Sequence, residues 1–244
     1  MTTGDERGLD PVETRPTAEV REATFVIVPA YQEATTLPRV LEELVATYPQ
    51  VVVVDDGSSD GTDAVARARA PYVLRHLVNR GQGAALQTGM VFALSRGARW
   101  IVTFDADGQH RVEDVAGLLA PLVRGECEIT LGSRFLGQAL HLPPMRWLVL
   151  RLAVLFTRTM SGVRLTDTHN GLRAFSRDAA ERIEITMDRM AHASELIDLI
   201  AATNLPFREV PVTIHYSDYS KAKGQSSGGA IRVAFHYLIG RLLG

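Results

Sequence analysis

The sequence holds one cysteine, Cys127, among 244 residues. That excludes a disulfide framework or a cysteine-rich zinc centre within the chain. Cys127 reads as a small buried hydrophobe, and such sparse cysteine suits a reducing compartment, so the expected location is the cytoplasm. Charge is nearly balanced at a net −2, which gives no general attraction for nucleic acid. No apolar run approaches the roughly 18 to 20 residues that a spanning helix needs. The first 22 residues lack the apolar stretch of a signal peptide. They are rich in Thr, Gly, Pro and charge, and residues 1–22 are expected to be a disordered tail. The histidines show no H-E-x-x-H spacing, and no G-x-S-x-G or Walker A sequence occurs. With 46% apolar and 22% charged residues, the chain is an ordinary globular one, long enough for a single large α/β domain.

Short β-rich apolar runs alternate with helical stripes through the first half. The pattern predicts strands at 24–29, 50–54, 72–78 and 100–104, with helices at 35–47, 61–70 and 83–96. This order predicts a mostly parallel sheet covered by helices on both faces. Polar and acidic residues follow each strand, at the edge where open α/β sheets bind ligands. The second half is less regular. It predicts a helix at 112–124, a strand at 128–131, a structured loop running into a strand over 167–176, a helix at 191–202 and a strand at 208–215. The domain is placed at 23–228, and residues 229–244 read as a C-terminal amphipathic helix.

Asp105-Ala106-Asp107 ends the fourth strand. Two carboxylates two residues apart can converge on Mg²⁺ or Mn²⁺, which favour carboxylate and phosphate oxygens. The same pattern also serves as an acidic turn capping the next helix. Pro29-Ala30-Tyr31-Gln32-Glu33 follows the first strand: Tyr31 can pack on a base and Glu33 can accept from base or ribose. Asp56, after the second strand, can bind a nucleobase edge, while Ser59 or Asp60 caps a helix. Gly81-x-Gly83 resembles part of a dinucleotide fingerprint, but Leu86 stands where a third small residue belongs. A close backbone approach of Gly83 to sugar or phosphate is preferred. Residues 134–164 contain five arginines and no acid. Arginines suit a phosphate-bearing acceptor or anionic headgroups, and their apolar neighbours make 143–163 an interfacial segment rather than a solvated helix.

VPAYQE, VVVVDDGSSDGT, NRGQGAAL, FDADGQH, GSR and DTHNGLRAF occur in the order of family 2 glycosyltransferases with the GT-A fold. More narrowly, the chain resembles dolichyl- and polyprenyl-phosphate sugar synthases over roughly residues 24–235. The resemblance implies a single Rossmann-like GT-A domain and a nucleotide-sugar donor. Pro29, Tyr31, Glu33, Val54, Asp56, Gly83, Asp105, Ala106 and Lys223 would contact that donor. Asp105, Asp107 and Gln109 would serve the metal, Mg²⁺ or Mn²⁺. Arg134, Arg146, Arg151 and Arg173 would meet the acceptor phosphate, and Asp107, Arg134 and Glu195 carry the catalytic roles. Asp167, Gly171 and Arg173 match a D-x-x-x-G-x-R pattern. Two departures stand out: Gln32 replaces the usual asparagine, and Ser217 replaces an arginine usual before Lys223. Family 2 enzymes invert, so a single displacement is implied. A lipid monophosphate acceptor would need no general base. The implied setting is the inner face of the cell membrane, beside the lipid surface or a small membrane protein, with the oligomeric state open. Transfer to a saccharide or protein hydroxyl, and a non-catalytic nucleotide-sugar-binding subunit, are the alternatives.

Overall fold

β-Branched residues set the centre of the molecule. β1 (Thr24–Ala30) and β2 (Gln50–Asp55) are runs of Val and Ile buried on both faces, as parallel strands under helices must be. The computed structural model describes residues 16–161, 163–168, 170–186 and 192–216. β3 (Tyr72–Arg75), β4 (Trp100–Thr103), β5 (Ile129–Leu140), β6 (Arg173–Ser176) and β7 (Phe207–His215) complete one sheet, in the order β3-β2-β1-β4-β6-β5-β7. β6 runs antiparallel to both its neighbours, and every other pairing is parallel.

The period of two along β1 divides the core. Val26 and Val28 face α2 (Leu37–Thr47), α3 (Thr62–Arg67) and α5 (Asp114–Val123). Phe25 and Ile27 face α4 (Gln82–Ser95), α7 (Arg177–Arg182) and α8 (His192–Thr203). The helices therefore cover both faces, as expected. From β1 the chain steps outward to β2 and β3, then returns to place β4 on the other side of β1. The strand order reverses there, and the crevice between the C-terminal ends of β1 and β4 is where such sheets take ligands.

Four local expectations change. Residues 18–22, assigned to the disordered tail, form α1 (Ala18–Glu22). Thr17 caps it through Val20 N–H, and Val20 is buried against the core. A single apolar residue in a charged stretch carried too little periodicity to show this. β3 stops at Arg75 rather than at residue 78. β5 does not stop near 131 but continues to Leu140 through a register shift against β7 between Ser133 and Gln138. Gly137 lies so close to the Val212 backbone that any side chain would collide with it, so this glycine marks a bulge rather than a strand end. α7 follows β6 directly, capped by Ser176. The segment read as interfacial forms α6 (Pro144–Ser161), and no helix of the described residues is long and apolar enough to cross a membrane. The expected helix at 229–244 lies outside the described residues.

α4 lies tight on β1 because Gly89 has no side chain: a Cβ there would overlap Ile27 Cγ2, with Val54 also in reach. Gly89→Ala raises helix propensity by about 1 kcal/mol but overpacks a filled core, at a cost of about 1–3 kcal/mol. The second effect wins because Ile27 is wholly buried and cannot step aside. Thermal unfolding of Gly89→Ala should show a melting temperature a few degrees lower, at about 2–4 °C per kcal/mol for a chain of this size. An unchanged or higher value would show that α4 is not seated this tightly.

Candidate functional site

Pro29 opens the crevice. It sits in β1 opposite Val54, two residues beyond Ile27, the last β1 residue paired with β4. Its missing N–H falls where the ladder to β4 has already ended, so no bond is lost. Beyond Thr103 the chain leaves the sheet as Phe104-Asp105-Ala106-Asp107. Ala106 turns into the core, and the carboxylates on either side of it remain partly exposed.

Asp105 is held from several elements. Gln82, at the start of α4, donates to Oδ1 at 2.8 Å, and His110 Nε2 lies 3.1 Å from Oδ2. A Cβ on Gly171 would overlap Oδ2, so the bare glycine leaves the room that this carboxylate fills. Arg173 is buried behind it. Burial pulls the guanidinium down to about 10, against the charges of Asp105 and Asp167. Asp107 accepts from the Gln109 backbone at 3.1 Å and also from the Gln109 side-chain amide. Burial, and then the charge of Asp105, push the Asp107 carboxyl above its ordinary range. A like charge that raises a neighbouring carboxyl in this way makes an arrangement that a cation relieves. Both groups are hard oxygen donors. Among the described residues no three His, Cys, Asp or Glu side chains gather as a metal cage. The set therefore fits Mg²⁺ or Mn²⁺ completed by phosphate oxygens. Gln109, expected as a metal ligand, donates to Asp107 and braces it.

The donor-side residues divide into surface and support. Tyr31 is 44% exposed at the rim. Gln32 takes a left-handed backbone (φ 56°) and is pinned there by Ser58 Oγ to its N–H and by its own amide to Ser59 Oγ. Asparagine tolerates that conformation better, which explains why the family pattern prefers it. Here the two serine bonds do the holding. Glu33 is buried, accepting from Thr36 Oγ1 at 2.6 Å, while its carbonyl starts α2. Asp56 is 2% exposed and accepts from His76, Arg80 N–H and Gly81 N–H, pinning the loop that leads to Gly83 at the first turn of α4. Val54 was expected to line the base pocket. The structure corrects this: its side chain packs in the core beneath α4.

On the acceptor side, Arg134 is 7% exposed. Its Nε donates to Asp167 Oδ2 at 2.6 Å and its Nη1 to Tyr216 Oη at 2.5 Å. Burial works against the charge, but Asp167 and Tyr216 together outweigh it and hold the guanidinium above its ordinary value. Glu209 of β7 accepts from the backbone of Thr166 and Asp167, fixing that loop beneath Arg134. Arg134 lines an apolar groove of about 590 Å³ together with Phe135, Ala139, Leu142, Pro144 and Trp147. Arg151 lies over the rings of Phe135 and Trp147, at 4.4 and 5.3 Å. Arg146 belongs to α6. Glu195 accepts from Thr186 N–H and Oγ1 at 2.8 and 2.6 Å, tying α8 to the segment before it. Lys223 and Ser217 lie outside the described residues.

Sequence reasoning missed the supporting roles of Gln82, His76, Tyr216 and Glu209. None has a signature of its own, since each acts through a fold contact between distant segments. Gln82 alone had a hint, lying between the two glycines of a motif already singled out.

Comparison with known proteins shows the family and the fold. The family described as Glycosyl transferase family 2 matches residues 25–183. The chain is 34% identical to polyprenol monophosphomannose synthase of Mycolicibacterium smegmatis, over 93% of this chain and 88% of that one. It is 31% identical to undecaprenyl-phosphate mannosyltransferase of Micrococcus luteus, over 85% and 88%. Among solved structures, glucosyl-3-phosphoglycerate synthase from Mycobacterium tuberculosis, crystallised with Mn²⁺ and UDP-glucose, shares the fold with a TM-score of 0.64 at 19% identity, covering 93% of this chain and 84% of that one.

Gly171→Ala would drive a methyl group into Asp105. The variant should keep its far-UV circular dichroism but weaken Mn²⁺ binding, followed by paramagnetic resonance, by about tenfold or more, or about 1.4 kcal/mol. Undiminished Mn²⁺ affinity would remove Asp105 from the cation site.

Proposed function

The chain belongs to glycosyl transferase family 2, and from that premise we propose that it moves a sugar from a nucleoside diphosphate sugar to a polyprenyl monophosphate at the inner face of the cell membrane. The observation that carries this reading is the groove at Arg134. A buried arginine in the lining of an apolar trough fits an acceptor with an anionic head and a hydrocarbon tail. The relatives named for polyprenyl and undecaprenyl phosphate acceptors support it. The structural neighbour's acceptor, phosphoglycerate, is water-soluble and has no tail to fill such a trough.

The residues divide the work. The donor nucleoside lies over Tyr31, with Asp56 at the base and Glu33 supporting the loop, and the diphosphate reaches toward Asp105 and Asp107. Those two carboxylates would hold Mg²⁺ or Mn²⁺, braced by Gln109, and the bound cation would neutralise charge on the departing nucleoside diphosphate. Arg134, aligned by Asp167 and Tyr216, draws the acceptor phosphate to the sugar's anomeric carbon. The phosphate attacks in line, the bond to the donor oxygen breaks, and the configuration inverts. The second ionisation of a phosphate monoester lies near about 6, so the nucleophile is ionised without a general base. Glu195 fits that view, because its carboxylate already holds Thr186; it positions α8 rather than taking a proton.

α6 supports the membrane setting. Met145, Leu148, Leu152 and Leu155 are exposed at helical spacing, in a segment whose only charges are arginines. Such a face lies on an anionic lipid surface with its apolar side inward.

The test pairs nucleotide-sugars with undecaprenyl phosphate, with 3-phosphoglycerate and with a free saccharide, in the presence of Mn²⁺ or Mg²⁺. The expected product is extractable into organic solvent, labile to acid, and identified by mass spectrometry as the polyprenyl-phosphate sugar. Asp107→Ala should abolish its formation while the melting temperature holds. Product from phosphoglycerate or the saccharide alone would sink the lipid acceptor, and full activity of Asp107→Ala would sink the cation site.

A further inference from the structure

Given the placement of the donor base at Asp56 proposed above, we infer that this pocket selects a base whose pairing edge carries one N–H between two carbonyls, which makes the donor a uridine (or thymidine) diphosphate sugar rather than a guanosine one. The argument is a count of lone pairs on Asp56. An ionised carboxylate offers about four acceptor positions. On Oδ1, His76 Nδ1 lies at 2.7 Å and Arg80 N–H at 2.9 Å. On Oδ2, Gly81 N–H lies at 2.6 Å. One position is left, on Oδ2.

The three donors cannot readily give way. His76 is held from its far side by Thr88 Oγ1 of α4 at 2.9 Å. With Asp56 ionised, Nδ1 carries the proton and Nε2 accepts from the threonine. The loop bearing Arg80 and Gly81 rests directly on Gly57: a Cβ there would lie 2.8 Å from the Val78 carbonyl carbon. Gly57 itself has φ 74°, which a glycine adopts without strain.

Guanine presents N1–H and the exocyclic N2–H side by side and seeks both oxygens of a carboxylate. Seating it here displaces His76 or the Arg80 amide and leaves a buried donor without a partner. Uracil and thymine present N3–H alone, which matches the one open position, and their flanking carbonyls make no demand on Asp56. Cytosine and adenine aim a ring-nitrogen lone pair at the carboxylate and are repelled.

The experiment is calorimetric titration of the full chain with UDP, dTDP, GDP, CDP and ADP, with Mn²⁺ present and no lipid acceptor. UDP and dTDP should bind roughly tenfold tighter than the other three, or more, a difference of about 1.4 kcal/mol. GDP binding as tightly as UDP overturns the inference while leaving a nucleotide-sugar enzyme in place. If no nucleoside diphosphate binds, the donor-site reading itself fails. His76→Ala opens a second position on Asp56, so the ratio of UDP to GDP affinity should narrow several-fold. An unaltered ratio in a folded His76→Ala protein overturns the lone-pair argument. The wild-type panel decides the base preference whether or not that variant folds.

Discussion

The seat of Asp105 is the constraint on which the rest of the molecule turns. One carboxylate at the end of β4 is reached by Gln82 from α4, by His110 from the loop before α5, and by the bare backbone of Gly171 from the loop before β6. Moving any one of these elements would alter its position. Removing part of an anion from water requires compensation from neighbours, and the buried Arg173 supplies opposite charge behind it. The carboxylate is thereby fixed before any ligand arrives, which is how a polar site avoids reorganising during a reaction.

That seat depends on the one strand that breaks the parallel pattern. β6 runs antiparallel between β4 and β5, so the loop entering it, rather than the loop leaving it, lies at the ligand edge. A parallel strand there would deliver its exit loop instead. Reversing the strand brings Asp167, Gly171 and Arg173 to the same edge as Asp105. It also places Asp167 against Arg134 in the lining of the apolar groove. The Asp105 site and the Arg134 groove share this short loop, with Glu209 of β7 holding its start.

Much of this was legible in the sequence, for identifiable reasons. The Val and Ile runs of β1 and β2 and the apolar stripe of α2 gave their elements within a few residues, because burial imposes a strict period on them. Asp105 and Asp107 were legible because they end a buried strand. What the sequence concealed has one character: it depends on contacts between distant segments. The family resemblance implied Val54 as a pocket residue, but its side chain packs in the core beneath α4. The continuation of β5 past residue 131 shows only once the β7 backbone is seen lying against Gly137. Gln32 looked like a simple departure from the family pattern, and only its left-handed backbone and two serine partners show how it is accommodated.

Arg134 shows why burial of a cation need not conflict with binding an anion. A surface arginine would have to lose rotamer freedom on meeting a phosphate, and water would screen the attraction. Here Asp167 and Tyr216 have already fixed the plane of the guanidinium, so that ordering is met in folding rather than in binding. The neighbouring ion pair also keeps the site from presenting a bare positive charge to every small anion. An acceptor must then gain part of its affinity from elsewhere. Among the described residues, the others lining the groove beside Arg134 are apolar: Phe135, Ala139, Leu142, Pro144 and Trp147. A phosphate without a hydrocarbon tail gains nothing from that surface, while each buried methylene contributes about 0.8 kcal/mol. A partly neutralised arginine beside an apolar trough thus gives the proposed preference for a lipid phosphate over a soluble one its physical basis.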